Sequence, residues 1–207
     1  MIRGRVANLM ICTGFAMLLI GMSWGSAHAQ TKLVKPAGGG ILKITKSGSY
    51  FLAANYISAL PVSPIISISA SNVTINLNGF TISDTAVGNT APAISTTSGI
   101  SGVTIVNGTI TKTGTAISLG TSSTVGGMQL IGNSGDGVDC TSTCLVTNSV
   151  ITGNTGIGLA LGDGSSGYQD NIISGNSGGN VAVGAGTNLG NNVCGTGLCP
   201  PATPQVP

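Results

Sequence analysis

The chain contains no glutamate, and beyond residue 29 it contains no arginine, histidine or tryptophan. Each absence removes a class of chemistry. Without arginine there is no planar fork to clamp a carboxylate or phosphate. Without histidine there is no ring that changes charge near neutral pH, and the commonest metal ligand is gone. Aromatic residues make up 3% of the sequence, so the ring platforms on which sugars usually rest are scarce. Charge is scarce too, at 6%. Beyond residue 29 it consists of Lys32, Lys35, Lys43, Lys46 and Lys112 against Asp84, Asp136, Asp139, Asp163 and Asp170. These cancel, so the formal +2 belongs to Arg3 and Arg5. Most of the lysines precede residue 47, which leaves no basic stripe for a phosphate backbone and excludes nucleic acid as a partner.

Low charge with abundant Gly, Ser, Thr and Asn is also the composition of disordered chains. Here Ile, Val and Leu recur with strand-like alternation, which argues for a packed core in one domain.

Residues 1–29 read as an export signal. Arg3 and Arg5 form a basic start, an apolar run spans Val6 to Met22, and Ala27-His28-Ala29 fits the small-x-small cleavage rule. The mature chain is expected to begin at Gln30 and to lie outside the cytoplasm, in the periplasm or secreted. The alternatives are a membrane anchor, for which the run is at the short limit, and a lipoprotein at Cys12, which has too little apolar sequence before it. After signal cleavage no membrane span is expected.

What the chain does have is a repeat. Gly132-Asn133-Ser134-Gly135, Gly153-Asn154-Thr155-Gly156 and Gly175-Asn176-Ser177-Gly178 return at 21 and 22 residue intervals. Asn148–Asn154 lines up with Asp170–Asn176. Earlier, residues 72–82 are echoed by 102–110 at an offset falling from 30 to 28, which predicts an insertion near residues 84–92. A fixed period in this range marks a solenoid, each repeat stacked on the next. Short alternating runs such as Ile66-Ser67-Ile68 and Leu159-Ala160-Leu161 supply the strands. Aligned on the repeat, Val138, Leu159 and Val181 form one inward column, and Cys140, Leu161 and Val183 the next. Asp139, Ala160 and Ala182 then point outward. Asn133, Asn154 and Asn176 fall at one corner, where stacked amides would form a ladder besides making the turn.

The Gly48-Ser49-Tyr50-Phe51-Leu52 opening, the run Val73-Thr74-Ile75-Asn76-Leu77-Asn78-Gly79-Phe80 and the Gly-Asn-Ser/Thr-Gly corners resemble the right-handed parallel β-helix proteins of the pectin-lyase-like superfamily. Among these, the chain looks like the small secreted bacterial type. The resemblance covers roughly residues 48–199. It implies an all-β, single-domain right-handed parallel β-helix. Residues 30–47 would be a lead-in that caps it and 200–207 a proline-rich tail. At one coil per ~22 residues that is roughly seven coils, a rod about 34 Å long. Leucine-rich repeats are the rival solenoid, but the stacked positions here are Ile and Val rather than Leu.

The fold hosts lyases, hydrolases, adhesins and passive scaffolds, so it does not fix the activity. Asp136, Asp139 and Asp163 are the candidate catalytic cluster, since paired carboxylates carry out glycoside hydrolysis. Related hydrolases use clustered aspartates with His, Arg and Lys, and related lyases use Ca²⁺-binding carboxylates with an Arg or Lys base. This chain has neither His nor Arg there, only Lys112 within the repeats and Tyr168 nearby. Solubilising or turn roles for the three aspartates are the plainer account. A Ca²⁺ site is the intermediate one. No metal or other cofactor is expected otherwise.

Four cysteines, Cys140, Cys144, Cys194 and Cys199, remain after cleavage. Three pairings exist, of which two local bridges are the economical choice. Zinc is the alternative, without any His to support it. Asn72 and Asn107 match the N-glycosylation pattern by composition alone. No regular Thr-x-Thr array appears, so an ice-binding face lacks support. The expected role is a non-catalytic extracellular scaffold that binds polysaccharide weakly. The alternative is a polysaccharide lyase or glycoside hydrolase using the aspartates.

Overall fold

The computed structural model describes residues 29–34, 40–59, 63–182, 186–195 and 197–199. The expected export segment through His28, Val183 of the expected second inward column, and the proline-rich tail lie outside the described residues. Every described element is a β-strand, and the strands stack into a parallel β-solenoid of about seven turns.

Each turn has three walls. Wall I carries β1 (Thr31–Leu33), β3 (Gly48–Leu52) and β6 (Val73–Asn76). It continues through the first halves of β9 (Thr104–Thr111) and β11 (Thr124–Ile131), then β13 (Leu145–Thr147), β16 (Gly167–Gln169) and β18 (Thr187–Gly190). Wall II carries β4 (Tyr56–Ser58), β7 (Thr81–Asp84), the second halves of β9 and β11, β14 (Val150–Thr152), β17 (Ile172–Ser174) and β19 (Val193–Cys194). Because β9 and β11 run through the corner, walls I and II join, with β20 (Gly197–Leu198) added at the end of the stack, as one 14-stranded sheet. Wall III is the six-stranded sheet of β2 (Leu42–Ile44), β5 (Ile66–Ile68), β8 (Ile94–Thr96), β10 (Ile117–Leu119), β12 (Val138–Cys140) and β15 (Leu159–Leu161).

Register along wall III runs Leu42, Ile66, Ile94, Ile117, Val138, Leu159 and, by a bridge, Val181. The turns are therefore 24, 28, 23, 21, 21 and 22 residues long. The 28-residue turn takes up its surplus in residues 85–93, which bulge between β7 and β8; the loop 97–103 between β8 and β9 belongs to the following, 23-residue turn. The pairings Thr74 with Thr104 and Thr81 with Thr109 reproduce the offset that falls from 30 to 28. β1 and β2, within the expected lead-in, already belong to the walls.

Strand alternation explains the core. Ile66, Ile94, Ile117 and Val138 are fully buried, while Ser67, Ser95, Ser118 and Asp139 between the inward rows point out. Fully burying each such aliphatic is worth roughly 1.5–3 kcal/mol. Strands of three residues cannot persist alone. Here each one gains a parallel partner above and below.

The corner phrase Gly-Asn-Ser/Thr-Gly has a separate reason at each position. Its first glycine is left-handed, with φ of 64°, 66° and 63° at Gly132, Gly153 and Gly175. Its last glycine lies against the previous turn. A Cβ on Gly135 would sit 2.7 Å from the Thr115 amide nitrogen, and one on Gly156 would collide with Asp136 Oδ1. The Ser/Thr amides of Ser134, Thr155 and Ser177 donate one turn back, to Thr113, Asn133 and Asn154 carbonyls. Between them, the asparagine turns inward.

Candidate functional site

The inward asparagines form a continuous chain. Asn133 Nδ2 donates to Asn154 Oδ1 at 2.9 Å, and Asn154 Nδ2 to Asn176 Oδ1 at 2.9 Å. Each side-chain amide also donates to a carbonyl of the wall II strand one turn back: Ile110, Leu130 and Ile151. Each Oδ1 is shared with a backbone amide of the preceding turn, at 3.0 Å for Asn133 N and 3.1 Å for Asn154 N. Thr113 caps the top through its hydroxyl, 2.9 Å from Asn133 Oδ1, and Asn180 closes the bottom.

A second ladder runs along the corner between walls I and II. Asn171 Nδ2 donates to Asn192 Oδ1 at 3.0 Å, and Ser149 N donates to Asn171 Oδ1 at 3.0 Å. Sequence reading missed it, because its rows are Ser, Asn and Asn rather than one residue type. The signal was the alignment of residues 148–154 with 170–176, which sets Ser149 opposite Asn171.

Of the three candidate aspartates, Asp136 and Asp139 lie near enough for the charge of one to act on the other, and Asp163 is held by hydrogen bonds of its own. Asp136 sits at a corner and accepts the Ile157 amide, one turn on, at 2.6 Å. Asp163 lies at the corner between walls III and I. It accepts from the Ser165 and Ser166 hydroxyls at 2.7 and 3.2 Å and from the Thr143 amide at 3.3 Å. The Ser165 hydroxyl, helped by these others, holds its carboxyl below the ordinary value. Thr143 needs that support, since it is a β-branched residue at φ 52°. Asp139 points outward from wall III. Partial burial pushes its carboxyl up, opposed by the Ser118 hydroxyl at 3.3 Å and reinforced by the charge of Asp136. Among the described residues, no three His, Cys, Asp or Glu side chains gather as a metal-ion site would require.

Tyr168 is 2% exposed and packs in the core, so it offers no platform for a sugar. Its burial raises its hydroxyl pKa. The cysteines are joined as Cys140–Cys144, across the corner between walls III and I, and Cys194–Cys199. The second closes β19 against β20 (Gly197–Leu198), an antiparallel hairpin at the end of the stack. Two disulfides fit an oxidising, extracytoplasmic compartment.

Lys112 occupies the left-handed corner position that is Gly132, Gly153 and Gly175 in the following turns, at φ 58°. Beside it, the 86–90 loop, Thr113 and Ser134 line an open hollow of about 340 Å³. Ser134 Oγ pins that loop at the Asn89 carbonyl, at 2.7 Å. Extended by one residue, the register sets Asp84 one turn above Lys112, with Asp84 buried at 2% exposure.

Whereas wall I carries Lys32 at its first strand and wall III carries Lys43 and Asp139, the outward side of wall II is, among the described residues, free of charge along its whole length. Its first column is Thr81, Thr109, Gln129, Val150, Ile172 and Val193. Its second is Ile57, Ser83, Thr111, Ile131, Thr152 and Ser174. Neither contains a charged residue. Among the described residues no helix is long and apolar enough to cross a membrane. No protein-family model, no curated protein and no solved structure matches this chain.

Proposed function

We propose that the protein is a secreted bacterial right-handed β-helix of the pectin-lyase-like type, acting as a non-catalytic scaffold that binds polysaccharide weakly. The state of its carboxylates carries this reading. Asp136 and Asp163 are committed to hydrogen bonds that hold corners. A lyase needs a base and cations to hold developing charge, and a hydrolase needs two free carboxyls with separated pKa values. Asp139 alone supports the enzymatic alternative, because its raised pKa suits a general acid. Its charged neighbour, Asp136, is tied to Ile157.

The test is a reducing-end assay and an unsaturated-product assay on the mature protein with a panel of neutral and uronate polymers, run beside a binding assay on the same panel. Binding without turnover is expected. Turnover that Asp139→Asn abolishes would replace the scaffold with an enzyme.

A further inference from the structure

We propose that the outward face of wall II is the surface that contacts polysaccharide, and that it takes a neutral linear polysaccharide rather than a polyuronate. The proposal rests on the glycan-binding function proposed above and names its surface and ligand class.

Charge comes first. Lys32 is on wall I, Lys43 and Asp139 are on wall III, and Asp84 is 2% exposed. Lys46, Lys112, Asp136, Asp163 and Asp170 lie outside the strands. Among the described residues, the strands of wall II therefore present no cation to a carboxylate, and Lys112 stands at the corner beyond Thr111. A polyuronate laid along this wall would lose the hydration of its charges and gain no counter-charge, whereas a neutral chain gives up only the weaker hydration of hydroxyls, which the wall's own hydroxyls can replace.

Exposure points to the same wall. Six large hydrophobics are well exposed among the described residues, and three of them, Ile57, Ile172 and Val193, are on this wall. Their methyl groups share this face with the hydroxyls of Thr81, Thr109, Thr111 and Thr152, the hydroxyls gathered toward β7 and β9 and the methyls of Ile172 and Val193 toward β17 and β19. A sugar ring has the matching pair of surfaces, an apolar C–H face and a hydroxyl rim. The hydroxyls stand close enough to bridge neighbouring turns, as at Thr152 and Ser174, 3.4 Å apart.

Shape selects a linear ligand. Rows repeat every ~4.8 Å and the columns stand ~7 Å apart, so the seven rows from β4 to β19 make a strip about 29 Å long and roughly 10 Å wide. That is about 290 Å², against the ~800 Å² per partner of a stable protein interface, so a second copy or a folded partner is poorly served. The strip is also rigid. Parallel ladders fix every row, and β-branched side chains hold one preferred rotamer, so little freedom is lost on contact.

The probes are particles of chitin, cellulose and a β-1,3-glucan, with soluble polygalacturonate in affinity electrophoresis. At least one neutral polymer should deplete the wild-type protein from solution. Thr111→Lys and Ile172→Lys should each cut the retained fraction about tenfold, because a buried ammonium without a partner weakens contact. Ser95→Lys, on wall III, should leave it unchanged. Thr109→Lys gives the same readout should either main variant fail to show wild-type circular dichroism. Retardation by polygalacturonate with no retention on neutral polymers overturns this inference and leaves glycan binding standing. Retention lost in Ser95→Lys but kept in Thr111→Lys assigns the wrong wall. Binding to none of the four polymers removes both proposals.

Discussion

Asn154 Nδ2 donates to Asn176 Oδ1 at 2.9 Å, one turn along the axis, with Asn154 fully buried and Asn176 8% exposed. Removing Asn154 therefore strands several buried groups at once. Asn133 loses the acceptor for both its side-chain and backbone amides, and the Leu130 carbonyl loses its donor. Each unsatisfied group costs about 1–3 kcal/mol. Asn154→Ala is expected to lower stability by roughly 3 kcal/mol or more. Asn191→Ala, at an exposed corner with a single side-chain bond to Asp170, should cost clearly less. Equal unfolding midpoints for the two variants in urea would show that the ladder carries no weight.

Much of this architecture could be read from residues alone. The column of Val138, Leu159 and Val181 follows from aligning three corner phrases, because a solenoid translates sequence period directly into spatial register. The same alignment set Asn133, Asn154 and Asn176 together. The aspartates were harder. Asp136 and Asp163 look like free acids in a sequence. What consumes them is a backbone amide or hydroxyl placed by the next turn's path, such as Ile157 N, and backbone donors leave no trace in residue type. Tyr168 misled for a related reason: its inward direction depends on the register of β16, not on its identity. The charge-free wall II was hidden because its rows mix Thr, Gln, Val and Ile, and only the fold shows that they share a face.

The two glycines of the corner phrase should respond differently to the same change. Gly153→Ala adds a Cβ whose nearest neighbour is 3.9 Å away, so only the left-handed backbone is penalised, by about 1 kcal/mol. Lys112 already shows that this corner accepts a side chain. Gly156→Ala drives its Cβ into Asp136 Oδ1 and the Gly135 backbone, which cannot retreat without opening the turn. We expect a loss at least twice as large, read as the midpoint of thermal unfolding. Equal losses would mean that stacking is looser than the geometry requires.

The pH response of two aspartates should have opposite signs. Asp163 has a depressed folded-state pKa, so its stabilising effect is present above the unfolded value of about 3.9 and fades as pH falls through the folded value. Asp163→Asn should therefore destabilise at pH 7, with the difference shrinking near pH ~2. Asp139 has a raised folded-state pKa, so whatever favours folding is present at low pH and lost as pH rises through it. Asp139→Asn should be neutral or stabilising at pH 7 and make less difference at low pH. Melting curves of both variants at the two pH values decide it.

Reduction should distinguish the disulfides. Cys140 and Cys144 are 1% and 4% exposed, whereas Cys194 is only partly buried at the end of the stack. In native buffer with a thiol reductant and iodoacetamide, Cys194 and Cys199 should be alkylated first. Cys140 and Cys144 should react only as the protein unfolds. Each bridge closes a loop so short that the chain-entropy gain is about 2 kcal/mol. Simultaneous labelling of all four would contradict this order.

The equality of successive turns makes length an editable property of this molecule. Val138 pairs with Ile117 above and Leu159 below, with 21 residues on each side. Excising residues 138–158 would join Gly137 to Leu159 and bring Leu159 under Ile117. It would set Asn176 beneath Asn133 and Asn171 beneath Met128, where Ser149 had been. Both cysteines of the first bridge leave together, so no thiol is orphaned. The shortened chain loses one storey and no type of contact. Genes for such rods can therefore drift in size by whole turns without passing through a broken intermediate, and selection can set how far the wall extends separately from what the wall is made of.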